Sequence, residues 1–162
     1  MTEGMLVMIP FWGVSEVVGH SREKILGKEC DFCEIRPKRL DEPIKYTYQT
    51  IRELGIRPLM TPQEMIQLLQ QPLPPSELGK MPGTRRYQRW IRLLRSGRKG
   101  ARRKILREIT EVENSGGRLL AREKDLRLTV ERNYRAEVSE VLQISPQKAD
   151  RFVKASYTSK GA

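Results

Sequence analysis

The sequence predicts an α+β protein, in which a small N-terminal antiparallel β module precedes an all-α domain rich in basic residues. Residues 5–57 contain short apolar and β-branched runs, separated by turn residues about every ten positions. From residue 84 onward the apolar residues recur at spacings of three and four, as on one face of an α-helix. The charge divides at the same place. Residues 1–79 carry nine Lys or Arg against eleven Asp or Glu, whereas residues 80–162 carry twenty-two against nine.

The β module is predicted from four short runs with turn residues between them. Pro10 stops the first run, and Gly13 and Gly27 mark the next two turns. With no helix predicted between the strands, a small antiparallel barrel or sandwich is expected. The predicted strands are Met5–Ile9, Val14–Val18, Glu29–Ile35 and Ile44–Tyr48.

A helix with a strong N-terminal signal follows this module. Thr61 suits the N-cap, Pro62 suits the first turn, and Glu64 stands at the third position, where it completes a capping box. The proline-rich stretch 70–76 ends this helix and is typical of a linker. We therefore divide the chain into a β module (1–60), a helix with a proline-rich linker (61–79) and a helical domain (80–162).

Four helices are predicted in the helical domain. Ser96-Gly97 breaks the first from the second, Asn114–Gly117 closes the second, the third begins near Leu119, and Ser145-Pro146 caps the last. The tail from Ser156 is small and polar, and it is expected to fray. The inward residues are predicted to be Tyr87, Trp90, Ile91 and Leu94 in the first helix, and Ala101, Ile105, Ile109 and Val112 in the second.

Twelve Lys or Arg residues lie between Lys80 and Arg107, with no Asp or Glu among them. Such a block repels itself and favours a polyanion, and arginine donates well to phosphate oxygens. The alternative is a solvated basic face with no partner. A helical periodicity of 100° per residue places Arg85, Arg89 and Arg92 outward on the first helix, and Lys99, Arg103 and Arg107 outward on the second.

The remaining candidate chemistry is sparse. Cys30 and Cys33 lie on a predicted strand and His20 is the sole histidine, so structural thiols are favoured over a zinc or redox site. No catalytic motif, cofactor, metal site or membrane-spanning run is predicted. Trp90 is interpreted as a core residue rather than a stacking residue, because it belongs to the apolar stripe. Trp12, beside Phe11 at a turn, remains open between the two roles.

Five segments in order resemble the CarD/CdnL family of bacterial transcription regulators that bind RNA polymerase. The similarity covers about residues 5–155. The segments are Ile9-Pro10-Phe11-Trp12-Gly13-Val14, Gly55-Ile56-Arg57-Pro58-Leu59, Arg85-Arg86-Tyr87, Leu93-Leu94-Arg95-Ser96-Gly97, and Leu120-Ala121-Arg122-Glu123-Lys124-Asp125-Leu126.

This resemblance implies a Tudor-like barrel that docks on the polymerase β subunit and a helical domain that contacts promoter double-stranded DNA. It implies polymerase contacts at Lys24, Ile25 and Lys45 and phosphate contacts at Arg85, Arg86 and Lys124. The family's DNA-inserting tryptophan stands two residues before the Arg-Arg-Tyr, where this chain has Gly83. Met81 and Pro82 are the neighbouring apolar candidates for a wedge.

The sequence thus predicts a non-enzymatic transcription regulator that modulates the stability of the open promoter complex. It is expected to be a monomer in the cytoplasm, associated with the nucleoid. The alternative is a general RNA- or nucleoid-binding protein without polymerase contact. The predicted DNA-binding residues are Arg85, Arg86, Arg89, Arg92, Lys99, Arg103, Arg107 and Lys124.

Overall fold

A computed structural model, which describes residues 1–73 and 75–158, has five strands and six helices over those ranges. The strands are β1 (Leu6–Ile9), β2 (Gly13–Ile25), β3 (Lys28–Pro37), β4 (Ile44–Thr47) and β5 (Arg57–Pro58). The helices are α1 (Tyr48–Glu53), α2 (Pro62–Gln70), α3 (Gly83–Arg95), α4 (Ala101–Asn114), α5 (Ala121–Leu142) and α6 (Pro146–Thr158). The predicted α+β class is confirmed.

The strands form one antiparallel sheet in the order β4-β3-β2-β1-β5. Over the described residues β4 and β5 are its edges, so this sheet is open. The long β2–β3 hairpin turns at Leu26 and Gly27, both at positive φ, as two-residue hairpin turns require. The hairpin tip is therefore well defined, and it presents Leu26 with a fully exposed side chain.

Helix α1 corrects the prediction that residues 5–57 contain only strands. Thr47 ends β4 and caps α1, because its Oγ1 accepts a hydrogen bond from the Thr50 amide at 3.1 Å. Tyr48 was predicted to continue the strand, but it begins the helix. Gly55, at φ +67°, follows the helix end. A threonine before the helix and a glycine after it are the usual signals for so short an element.

The helical predictions agree well with the structure. Thr61 and Glu64 form the expected capping box of α2, with reciprocal bonds of 3.0 and 3.2 Å. Helix α3 ends before Ser96-Gly97, and its residues Trp90 and Leu94 are buried. The expected fraying from Ser156 is wrong within the described residues, because Ser156 and Tyr157 are buried in α6. Residues 159–162 of that predicted tail lie outside the described residues.

The two modules have separate apolar cores joined by polar contacts. The sheet core includes Val17 and Ile35, whereas the helical core surrounds Trp90 and includes Met60. Between them Arg57 of β5 donates two hydrogen bonds to Glu137 of α5, at 2.7 and 2.8 Å. Both side chains are almost completely buried, so this ion pair fixes the sheet edge against α5.

A backbone contact at Gly55 provides a second attachment. A Cβ atom at this position would lie 2.3 Å from the carbonyl oxygen of Arg95 and 2.5 Å from the amide nitrogen of Gly97. Neither neighbour is a flexible side chain, and the positive φ of Gly55 adds its own strain to any substitution. The loop after α1 therefore depends on glycine for its approach to the break between α3 and α4.

We expect Gly55→Ala to lower the free energy of unfolding by about 2–4 kcal/mol, measured by urea denaturation. Gly116→Ala is the matched control, because Gly116 also has positive φ but no heavy atom would lie within 4 Å of its Cβ. The control should lose only the free energy that a non-glycine residue costs at positive φ, about 1–2 kcal/mol. Equal losses in the two variants would show that the Gly55 contact does not support the junction.

Candidate nucleic-acid interface

Two carboxylates after the basic block neutralise arginines within it. Glu108 is buried in α4 and accepts hydrogen bonds from Arg89 at 2.9 and 3.0 Å and from the Trp90 indole at 3.0 Å. Glu123, buried at the start of α5, accepts two from Arg86 at 2.9 and 3.0 Å. Buried charges require partners of this kind. These hydrogen bonds raise the pKa of each arginine, so both remain charged.

Arg86 and Arg89 were predicted to contact DNA, but their guanidinium groups are occupied by the fold. Arg86 also donates to the backbone carbonyl oxygens of Met81 and Arg118. It thereby links the segment before α3 to the start of α5. Helical spacing placed Arg89 outward, and the family resemblance added Arg86 to the predicted site. In the fold, Glu108 lies against Arg89, nineteen residues away in sequence, and Glu123 lies against Arg86, thirty-seven residues away.

Arg103 is the clearest correction, because it was predicted to face outward and is only 4% exposed. Its Nε donates to the carbonyl oxygen of Ser156 at 2.9 Å, and its Nη2 donates to that of Gln71. Helix α6 packs on α4 and covers this side of it, which the periodicity of α4 alone does not reveal. Burial lowers the pKa of Arg103. Its role is to join α4 to α6 and to the end of α2.

Arg107 and Lys99 are partly engaged as well. Arg107 donates to Glu111 one turn later, at 3.1 Å, and to the Tyr157 carbonyl oxygen at 3.5 Å. Lys99 forms an ion pair with Glu64 of α2, yet about half of its side chain remains exposed. Lys124 on α5 is exposed and has no ion-pair partner among the described residues. Of these three, Lys124 is the residue whose charge is not engaged by a carboxylate among the described residues.

The accessible cationic surface is the α3 outer face, which we define as Arg85, Gln88, Arg92 and Arg95. Their spacings of three, seven and ten residues place them on one side of the helix, and all four are exposed. Within the described residues none of the three arginines has an ion pair or a side-chain hydrogen bond. At 1.5 Å per residue the face spans about 15 Å, or roughly four base pairs of B-form DNA.

Arg95 was counted in the basic block but was absent from the predicted site. The pattern that identifies it is simple, because Arg85, Arg92 and Arg95 follow one another at seven and three residues. Its neighbours Ile91 and Tyr87 line a shallow groove beside the face, together with Glu53 of α1. The α3 outer face is therefore basic, and it borders a groove that includes the apolar side chains of Tyr87 and Ile91.

The two predicted wedge residues lie in the segment before α3 and differ in exposure to solvent. Met81 is partly buried against the helical core, whereas Pro82 is exposed as the N-cap residue of α3. A Cβ at Gly83 would lie 2.8 Å from Leu120 Cδ1, so Leu120 fills the space beside this glycine. Leu120 is itself 41% exposed. Leu120 is therefore an accessible apolar side chain beside exposed Pro82, and sequence spacing did not single it out.

The predicted polymerase-contact residues lie on the β2–β3 hairpin and the edge strand β4. Lys24 and Ile25 are exposed immediately before the turn, and Leu26 is 99% exposed. Lys45 forms an ion pair with Glu23 across the sheet, and the hydrogen bond from Lys45 to Glu23 raises the pKa of the lysine. The hairpin tip thus presents exposed apolar groups, and Lys45 on the edge strand β4 is held by its ion pair with Glu23 of β2.

Trp90 and Trp12 have different environments. Trp90 is fully buried in the helical core, which confirms its interpretation as a core residue, whereas Trp12 is 37% exposed. The Trp12 turn is anchored by Asn133 of α5, whose Nδ2 donates to the Phe11 carbonyl oxygen at 3.1 Å. Buried Arg102 also approaches this turn, with Nη2 3.4 Å from the Pro10 carbonyl oxygen. Burial lowers the pKa of Arg102 to about 10.

The described residues include no group of three or more His, Cys, Asp or Glu that could hold a metal ion. Cys30 and Cys33 are free thiols, and burial raises the pKa of Cys33. In the described part of the chain, each helix is too short or too polar to cross a bilayer.

Comparison with family models and with curated proteins finds no match for this chain.

Proposed function

We propose that the protein is a non-enzymatic transcription regulator that holds promoter DNA through its helices and RNA polymerase through its β module. The α3 outer face is the observation that carries this proposal. Its three arginines are exposed and have no carboxylate partner among the residues that the structure describes, while Arg86 and Arg89 on the same helix are paired with buried glutamates. Cations left unpaired on one face are suited to the phosphate backbone, which they contact without reading sequence.

In this proposal the β module is Tudor-like and docks on the polymerase β subunit, as the CarD/CdnL resemblance implies. The exposed hairpin tip supports this assignment, because Ile25 and Leu26 are large apolar side chains in contact with solvent. Docking on polymerase would raise the local concentration of the basic helices beside the promoter. A weak DNA binder without base recognition would then act at promoters and modulate the lifetime of the open complex.

Leu120 takes the place of the wedge in this proposal. The family tryptophan would need the space beside Gly83, and Leu120 already occupies that space. Apolar side chains that enter a base step kink or unstack the duplex, and leucine serves this purpose in other minor-groove binders. Leu120 lies one helical turn before the exposed Lys124, which would contact a phosphate beside it.

The competing function is a general RNA- or nucleoid-binding protein without polymerase contact. The α3 outer face would serve either function, because arginine pairs with the phosphates of any nucleic acid. The hairpin discriminates between them. A general nucleic-acid-binding protein would not need an exposed leucine at the hairpin turn. A polymerase-binding module would use Leu26 as an apolar anchor on its protein partner.

Leu26→Asp should weaken binding of the full chain to an isolated polymerase β-subunit lobe by more than about tenfold. Aspartate tolerates positive φ at this turn, so the fold should remain intact. Leu128→Asp on α5 is the matched control, since Leu128 is 61% exposed and lies outside the β module. Biolayer interferometry measures both. If the wild-type chain does not bind the lobe, or if both variants bind the lobe as tightly as the wild type, the result favours a general nucleic-acid-binding protein without polymerase contact.

A further inference from the structure

A second cationic cleft lies at the junction of the two modules. Its polar walls come from Lys38, immediately after β3, and from residues of α5, namely Arg132, Arg135, Ser139 and the carboxylate of Glu140. Its volume is about 320 Å³, and α6 begins at its edge with Pro146. The first turn of α6 carries no acidic residue, so the positive end of its dipole is not neutralised there. The proposed function does not use this cleft.

The charges around the cleft are not balanced. Glu140 accepts a hydrogen bond from Lys38 at 2.8 Å, and Asp150 pairs with Arg135 at 3.2 Å and with Lys154 at 2.9 Å. These two carboxylates leave Arg39 and Arg132 without an ion pair among the described residues. The neighbourhood therefore has five cations and two anions, and the excess positive charge comes from both modules.

Arg132 is the most informative member of this cluster. Its Nε is inaccessible to solvent and has no hydrogen-bond acceptor in the described part of the chain. A buried donor without an acceptor is costly, and native structures rarely leave one unexplained. Burial lowers the pKa of Arg132, and the nearby charges of Arg39 and Arg135 lower it further. This arrangement costs stability in the absence of an anion.

We propose that this cleft binds a phosphate group and thereby links the β module to the helical domain. A phosphate offers several acceptor oxygens and more than one negative charge, which suits two guanidinium groups and a lysine that approach from different elements. Its negative charge would offset the mutual repulsion of Arg39, Arg132 and Arg135. The phosphate comes either from a free phosphate ester or from a nucleic-acid backbone, and both use the same chemistry.

The test compares the full chain with Arg39→Gln Arg132→Gln, using inorganic pyrophosphate as the free probe. Pyrophosphate at one hundred times its dissociation constant should raise the Tm of the wild-type protein by about 5 °C or more over chloride at matched ionic strength. The double variant should lose this rise. In chloride it should melt no lower than the wild type, because the substitution removes the repulsion among Arg39, Arg132 and Arg135.

Lys28→Gln Arg151→Gln is the matched control, since it removes the same charge from two exposed positions that do not line the cleft and should keep the full pyrophosphate response. Binding of a 25-base-pair duplex then identifies the source. A loss of DNA affinity in the double variant, beyond that of Lys28→Gln Arg151→Gln, assigns the phosphate to the DNA backbone. A pyrophosphate response without such a loss assigns it to a free phosphate ester. If pyrophosphate does not raise Tm above chloride and DNA affinity is unchanged, the proposal is wrong.

Discussion

Glu108→Ala should lower the free energy of unfolding by about 3–5 kcal/mol, the largest stability loss we expect from a single substitution in this protein. Glu108 is buried and accepts three hydrogen bonds, two from Arg89 and one from the Trp90 indole. Its removal leaves a partly buried guanidinium and a buried N–H without acceptors. For a chain of this size the corresponding fall in Tm is about 10 °C, measurable by calorimetry.

Glu113→Ala, in the same helix, is the control for the loss of a carboxylate. Glu113 accepts a hydrogen bond from Arg127 at 2.7 Å, but about half of its side chain is exposed. An exposed pair of this kind contributes at most about 1 kcal/mol. If the two variants lose similar stability, Glu108 does not organise the helical core as we infer. Glu108→Gln should fall between them, because the amide oxygen can still accept two of the three bonds, those that Oε1 accepts from Arg89 Nε and the Trp90 indole.

This pair of glutamates explains how a strongly basic segment folds. The block from Lys80 to Arg107 has no acid of its own, yet Glu108 and Glu123 lie close to it in the fold. A buried ion pair adds little net stability, but the loss of one partner leaves an uncompensated charge. The paired arginines therefore specify where α3, α4 and α5 meet. The arginines left over are the ones available to a ligand.

The sequence predicts the elements of the fold better than the environment of its charges. Periodicity identifies Trp90, Ile105 and Ile109 as core residues, because apolar residues must be buried whatever covers them. The capping box at Thr61 is predicted for a similar reason, since its partners lie within one turn. Helix α1 is missed because six residues give too little periodicity to outweigh a strand pattern.

The arginines illustrate the limit of helical periodicity. Arg103 is placed outward by spacing, but α6 returns over α4 and buries it against the Ser156 carbonyl oxygen. Arg85 and Arg92 are also placed outward by helical spacing, and they remain exposed. The difference depends on contacts fifty residues away along the chain. No local pattern distinguishes a structural arginine from one that is available to a ligand.

The largest functional effect is expected from Arg85→Gln Arg92→Gln Arg95→Gln, which removes the charge of the α3 outer face. If the wild-type protein neutralises roughly five phosphates, the logarithm of its DNA affinity falls against the logarithm of salt concentration with a slope near −4 to −5. Three lost contacts reduce that slope to about −2, and they weaken binding on the order of 100-fold at 0.1 M salt. Fluorescence anisotropy with a duplex across a salt series measures both quantities.

Lys24→Gln Lys28→Gln Arg151→Gln removes the same net charge from other exposed positions and controls for long-range electrostatics. Its slope should remain within about one unit of the wild-type value, because none of these residues belongs to the α3 outer face. Unfolding midpoints should be nearly equal for both triple variants, since the three outer-face arginines form no ion pair within residues 1–73 and 75–158. A slope that falls equally in the two variants would mean that the protein binds DNA through diffuse charge. A fall confined to the α3 variant would locate the backbone contacts on this face and would separate them from the paired arginines Arg86 and Arg89.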